Sequence, residues 1–269
     1  MEIETKNTSY YPSLKNALFL IVLLLLIELP FSFTRIGLTY FHPEWKSFLT
    51  FSTMSLEKIV IILIGLRMMK KRNKDVYKLK FKPVAFSPMM ILVFMMIALM
   101  VVSVVLKRFL PPMPERMIEI FRRMYEPNPY TFISAVIIAP IAEEIFFRGI
   151  LLEGFFKNYK PAMAIILSAL LFGVIHMNRW QAVSATLSGL LIGWAYWKTD
   201  SLIPGIVLHF VNNLIVELNL IRPVMSKMPI VLLVTIAVIV LVLGFKLLNK
   251  RQLCGVFSVN TSARSLSKP

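Results

Sequence analysis

Apolar runs of roughly membrane-helix length, parted by short polar stretches, recur along the chain. They predict spans near residues 15–34, 48–67, 86–106, 130–152, 161–177, 180–197, 202–220 and 228–248. The expected fold class is all-α: a polytopic membrane protein of about eight transmembrane helices. No long soluble insertion and no convincing internal repeat interrupts the series. The first run, Ala17 to Leu29, is followed by Pro30-Phe-Ser-Phe-Thr-Arg rather than a small-residue cleavage site, so it reads as a retained span.

One stretch breaks the pattern. Pro111-Pro-Met-Pro114 stops the third span, and Met117, Ile118, Ile120, Phe121, Met124 and Tyr125 then follow at i, i+1, i+3, i+4, i+7 and i+8. Glu115, Arg116, Glu119, Arg122 and Arg123 fall opposite. This predicts one amphipathic helix lying in the interface, as a connector or as a gate for substrate. The run at 180–197 is rich in small residues, with Gly189 and Gly193 four apart, which suits close helix packing. The last run has no charge before Lys246 and is expected to face lipid, with a polar tail after it.

Composition sharpens the class. The chain of 269 residues is 57% hydrophobic with mean hydropathy +0.73, well above the roughly 45–50% apolar content of soluble domains. A net charge of +16 would suit nucleic acid, but the basic residues cluster in loops between apolar runs. The expected partners are therefore lipid headgroups, with no nucleic acid. Arg67, Lys70, Lys71, Arg72, Lys74, Lys78, Lys80 and Lys82 face a lone Asp75 between spans two and three. That loop is expected to be cytoplasmic, which places both termini inside. The tail, with Lys246, Lys250, Arg251, Arg264 and Lys268, agrees. The single cysteine, Cys254, excludes an internal disulfide and reads as a bystander.

Charges inside apolar runs mark the candidate chemistry. Glu143, Glu144 and Arg148 lie in Ala139-Pro-Ile-Ala-Glu-Glu-Ile-Phe-Phe-Arg-Gly-Ile-Leu151, where each costs about 2.5–3.5 kcal/mol at a bilayer centre. On a helical wheel Glu144 and Arg148 are i, i+4 neighbours, so Arg148 neutralises Glu144 and leaves Glu143 facing another way. Pro140 predicts a kink one turn before Glu143. Phe172 and His176 share a face at i, i+4, and His209 lies beside Asn213 on the next polar-bearing span but one. Glu28 and the pair Glu57-Lys58 read as structural charges.

Two of the three histidines join the glutamates and Asn213 in this set, which reads as a functional site. Neither a Gly-x-Ser-x-Gly, a Ser-Lys pair nor a cysteine near a histidine supports a covalent nucleophile. A shielded carboxylate acting as general base on water, with His and Asn donors for an oxyanion, suits amide hydrolysis. A zinc ion at Glu143, His176 and His209 is the competing arrangement, although no His-Glu-x-x-His helix is present. A proton-relaying transporter is a further class, against which stands the lack of repeated halves.

Glu143-Glu144-x-x-x-Arg148, Phe172-x-x-x-His176 and His209-x-x-x-Asn213, in that order on spans, resemble the three motifs of the CPBP family of intramembrane proteases. That group comprises type II CAAX prenyl proteases and bacteriocin-processing or immunity proteins. The resemblance covers about residues 130–220 and sets the expected division: transmembrane segments and interfacial helix over 1–129, a catalytic core over 130–220, and the last helix with its tail over 221–269. It implies a glutamate-dependent, metal-independent endopeptidase acting on membrane-associated peptides or proteins. Glu143 would activate water, His176 would assist at the water or the scissile carbonyl, and His209 with Asn213 would form the oxyanion hole. Glu144, Arg148 and Phe172 would support them. The compact chain looks like a bacterial plasma-membrane member, and a non-catalytic immunity or partner-binding protein of the same fold is the alternative. Neither a substrate nor an oligomeric state is specified.

Overall fold

The computed structural model describes residues 10–73, 78–124 and 128–251, side chains at 120–124, 222, 250 and 251 excepted. Among them every regular element is helical. In chain order these are α1 (Leu14–Phe41), a 3-10 turn (Pro43–Trp45), α2 (Lys46–Asn73), α3 (Phe86–Lys107), α4 (Glu115–Met124), α5 (Pro129–Ile133), α6 (Ala139–Glu144), α7 (Glu153–Asn158), α8 (Pro161–Val174), α9 (Arg179–Thr199), α10 (Ile203–Glu217), α11 (Ile221–Lys227) and α12 (Ile230–Arg251). Two π-helical stretches, Ser134–Ile138 and Ile145–Leu152, join α5, α6 and α7 into one helical run.

Four helices, α1, α2, α3 and α12, are long and apolar enough to cross a membrane, and α8 and α10 are apolar but shorter. The chain is a polytopic, all-α integral membrane protein. Several expected boundaries shift. Helix α1 continues through Pro30 to Phe41, well past residue 34. Helix α2 runs on to Asn73, so Arg67, Lys70, Lys71 and Arg72 belong to its last turns rather than to a loop. Cations there complement the negative end of the helix dipole. Helix α8 stops at Val174, short of the expected 177.

The interfacial segment is helical as α4, but only Met117 and Ile118 of its expected apolar face have described side chains. Ile120, Phe121, Met124 and Tyr125, with Arg122 and Arg123 opposite, lie outside the described side chains. Lys74, Asp75, Cys254 and the tail beyond Arg251 lie outside the described residues.

The helices gather into two compact units. The first comprises residues 1–79 and 125–168. Within it α2 lies alongside α1 on one side and the π-interrupted run 129–158 on another. Gly65 is where α2 comes closest to that run, because a Cβ there would stand 2.7 Å from Ile150 Cδ1. The segment before α1 is tied down by two asparagines at helix ends. Asn158 accepts from the Tyr10 N–H and donates to its carbonyl, at 2.9 and 2.7 Å. Asn73 does the same for Tyr11, at 2.9 and 2.8 Å. Each side-chain amide thus imitates a β-bridge partner, and otherwise unsatisfied backbone groups are paired.

The second unit comprises residues 80–124 and 169–269. Helices α3, α9, α10 and α12 pack together around Leu92, Met95, Met96, Leu191, Ile192, Ala195, Leu208 and Leu248. The small residues of the sixth span are buried here, Gly189 and Gly193 included. Helix α12 buries Leu233, Ala237 and Leu248 and turns Val231, Ile239, Val242 and Leu243 outward. At the end of α9, Asp200 accepts from Lys80 and Lys82 at 2.9 and 2.7 Å, which pins the strand-like segment before α3.

The clasp on the N-terminal segment leaves no room at Gly154, where a Cβ would sit 2.2 Å from Pro12 Cδ and 2.5 Å from its backbone nitrogen. Gly154→Ala is therefore expected to destabilise the chain by about 1–3 kcal/mol, the usual cost of overpacking. Thermal unfolding in a fixed detergent would read this as a lowered midpoint, whereas Gly37→Ala, in open space, should cost only helix-surface amounts.

Candidate active site

The glutamate motif sits where Pro140 disturbs the helix. A proline at that point removes an N–H and crowds the carbonyl four residues earlier. The perturbation predicted there takes the form of a π turn over Ser134–Ile138, in which the Ala139 N–H reaches back five residues to the Ser134 carbonyl. Such single wide turns accommodate an extra residue without ending the helix, and they recur at functional sites. A second π stretch begins at Ile145, directly after the two glutamates.

The adjacent carboxylates occupy different surroundings. Glu144 is wholly buried, and Arg148 donates from Nη1 to its Oε1 at 2.9 Å, with both side chains essentially inaccessible. The i, i+4 pairing read from the helical wheel is made. Glu143, at 28% side-chain exposure, points to α2, where its Oε1 stands 3.8 Å from Lys58 Nζ. Lys58 is the residue that spacing along the chain could not supply, since it comes from a helix distant in sequence. Its neighbour Glu57 is buried and meets the Glu28 carboxyl of α1. Glu28 in turn accepts from Ser32 Oγ at 2.7 Å and from Arg35 Nη2 at 2.9 Å. The two charges at 57 and 58 therefore face different helices instead of pairing with each other.

The histidine motifs belong to the second unit. His176 does not ride on the helix, as the expected span to 177 required. It falls in the turn after α8, which Met177 (φ 54°) and Asn178 complete, the latter capping α9 by accepting from the Gln181 N–H. His176 still meets Phe172: its Nδ1 lies 2.8 Å from the Phe172 carbonyl oxygen, and the two rings stand edge to face at 5.2 Å. A carbonyl only accepts, so in the neutral imidazole Nδ1 carries the hydrogen and Nε2 presents its lone pair. The buried Phe172 ring also contacts His209, edge to face at 5.5 Å. One aromatic side chain thus orients both imidazoles. Gly173 permits this by letting α8 approach α9, since a Cβ there would strike Thr186 Oγ1.

His209 is buried on α10, and Asn213 follows one turn later. Asn212, its neighbour on the same helix, donates from Nδ2 to Asn213 Oδ1 at 3.0 Å. That bond fixes which way the Asn213 amide is turned and directs its NH2 away from Asn212. The structure thus brings Glu143, Glu144, Arg148 and Lys58 together in the first unit, and Phe172, His176, His209 and Asn213 in the second. Among the described residues no three His, Cys, Asp or Glu side chains are grouped as metal ligands would be.

Comparison with known proteins bears on this arrangement. A family profile described as "Type II CAAX prenyl endopeptidase Rce1-like" matches residues 126–215, the stretch that holds every motif residue above. A Bacillus subtilis (strain 168) protein, "Putative membrane peptidase YdiL", is 27% identical over 96 residues, or 36% of this chain and 39% of that relative. Residues 126–215 are thus similar to that family of endopeptidases. The match leaves α1 to α4 and α11 to α12 outside it, and the chain spans well under half of the length of YdiL. No solved structure matches the chain significantly.

Within the matched stretch, the Glu144–Arg148 pair lends itself to direct testing. Removing one partner of a buried ion pair strands the other charge and costs about 3–5 kcal/mol. Arg148→Ala is expected to lose that much, read as a sharply lowered thermal midpoint or loss of folded yield. A loss no greater than that of the outward-facing Val242→Ala would refute the pairing's structural weight.

Proposed function

We propose that the chain is an intramembrane endopeptidase that hydrolyses peptide bonds of membrane-associated proteins or peptides, with Glu143 as general base. The observation that carries this reading is the split between two adjacent carboxylates. Glu144 is hydrogen-bonded to Arg148 in full burial, while Glu143 stays partly accessible beside Lys58. Paired carboxylates in unlike environments mark a division between structural and chemical roles.

In the proposed reaction Glu143 takes a proton from a water molecule, and the resulting hydroxide attacks the scissile carbonyl carbon. His176 Nε2, whose lone pair is set by the Phe172 carbonyl, accepts a hydrogen bond from the same water. His209 and Asn213 donate to the oxygen that becomes negative in the tetrahedral intermediate. The proton held by Glu143 then passes to the departing amine as the C–N bond breaks. Glu144, Arg148 and Phe172 keep these groups in register. The reaction as drawn uses no metal. We place the chain in a bacterial plasma membrane among anionic lipids, with both termini cytoplasmic.

The test compares peptide termini in membranes expressing the wild-type chain or Glu143→Gln. New termini are expected with wild type alone, and Glu143→Gln should lower cleavage by at least about 10²-fold, the lower range for loss of a general base. Chelation with EDTA should leave the rate unchanged. Identical termini at matched expression, with a cellular phenotype retained, would instead favour a non-catalytic immunity or partner-binding protein. Loss of activity on chelation with recovery on added zinc would restore the metal arrangement.

A further inference from the structure

Helix α2 lies outside the stretch matched by the family profile, yet it places a cation beside the proposed base. Lys58 Nζ stands 3.8 Å from Glu143 Oε1, with the two side chains 23% and 28% exposed. This helix carries two adjacent charges in the middle of its length, and they divide cleanly. Glu57 is buried toward Glu28 of α1, whereas Lys58 reaches the run 129–158. Placing a lysine on the face of α2 that meets α6 is costly unless an anion receives it. Glu143 is that anion. On its own helix Glu143 has Glu144 as a neighbour and Arg148 a little over one turn away, and Arg148 is committed to Glu144 at 2.9 Å.

We propose that Lys58 is a positioning residue for Glu143. Its ammonium draws the carboxylate toward α2 and holds it in one orientation for the attack on water. The separation of 3.8 Å exceeds a direct hydrogen bond. Lys58 therefore steers the carboxylate by charge. A lysine suits this better than an arginine, whose planar fork would seize both carboxylate oxygens. The role rests on the proteolytic reading given above, but the pairing itself can be measured without it.

The experiment uses the full chain purified in one detergent as wild type, Lys58→Met, Glu143→Gln and the double variant, with Lys58→Arg alongside. Thermal unfolding is read for all, and kcat and KM are read on a peptide spanning a bond cut only by the wild-type chain. Lys58→Met is expected to lower the midpoint in the wild-type background and to do so far less once Glu143 is Gln. It should lower kcat by about 10- to 100-fold, the scale of misplacing a reacting group by an ångström, with KM little changed. Lys58→Arg should recover part of kcat by restoring the charge.

Equal midpoint losses in both backgrounds, or a wild-type kcat for Lys58→Met, would overturn the proposal. Should Lys58→Met fail to fold, Lys58→Gln, which keeps a polar side chain without the charge, enters the same cycle. Cleavage that survives Glu143→Gln would sink the assignment of Glu143 as general base and the positioning role with it. A coupling in the unfolding cycle would then identify the pair as structural only.

Discussion

A full charge placed among apolar helices has no water to stabilise it, and the first unit is arranged around that constraint. Arg148 and Glu144 are both sealed from solvent, and the hydrogen bond between them offsets the burial of each. This demands that residues 144 and 148 remain on one face through a stretch where the helix widens into a π turn. Nearby, the bare Cα of Gly65 lets α2 pack closely against Ile150 of the same run.

The same constraint sorts the two glutamates. Arg148 hydrogen-bonds the carboxylate four positions away. Beside Glu143, α2 supplies a second cation at a looser distance and with partial access to solvent. A close, fully buried pair and a longer, partly exposed one set the two adjacent carboxylates in unlike surroundings.

Interactions within one helix were legible in the sequence, because helical periodicity converts spacing directly into proximity. The Glu144–Arg148 bond is of this kind, and so is the series of apolar helices itself; the Phe172–His176 contact was read from the same spacing, but it is made across the end of α8. Contacts between distant segments were not legible. Nothing in the spacing links Lys58 to Glu143, or Asn73 and Asn158 to the backbone before α1. Helix ends were misjudged where hydropathy is a poor guide. The basic last turns of α2 look like loop by composition but suit the carbonyl end of a helix. Conversely, His176 looks helical by its apolar neighbours, yet the left-handed backbone at Met177 and the Asn178 cap end α8 first.

The tie between His176 and residue 172 is made to a main-chain oxygen, while the side chain contributes only an edge-on ring contact. Every amino acid supplies that oxygen. The protonation pattern of the imidazole is accordingly written into the chain path at the end of α8 and is independent of which residue stands at 172. Evolution could exchange the aromatic ring, and with it the fit between the two histidines, while the lone pair at Nε2 stayed where it is. Tuning of the pocket and the chemical identity of the ring nitrogen are thereby separable, the first mutable and the second inherited with the fold.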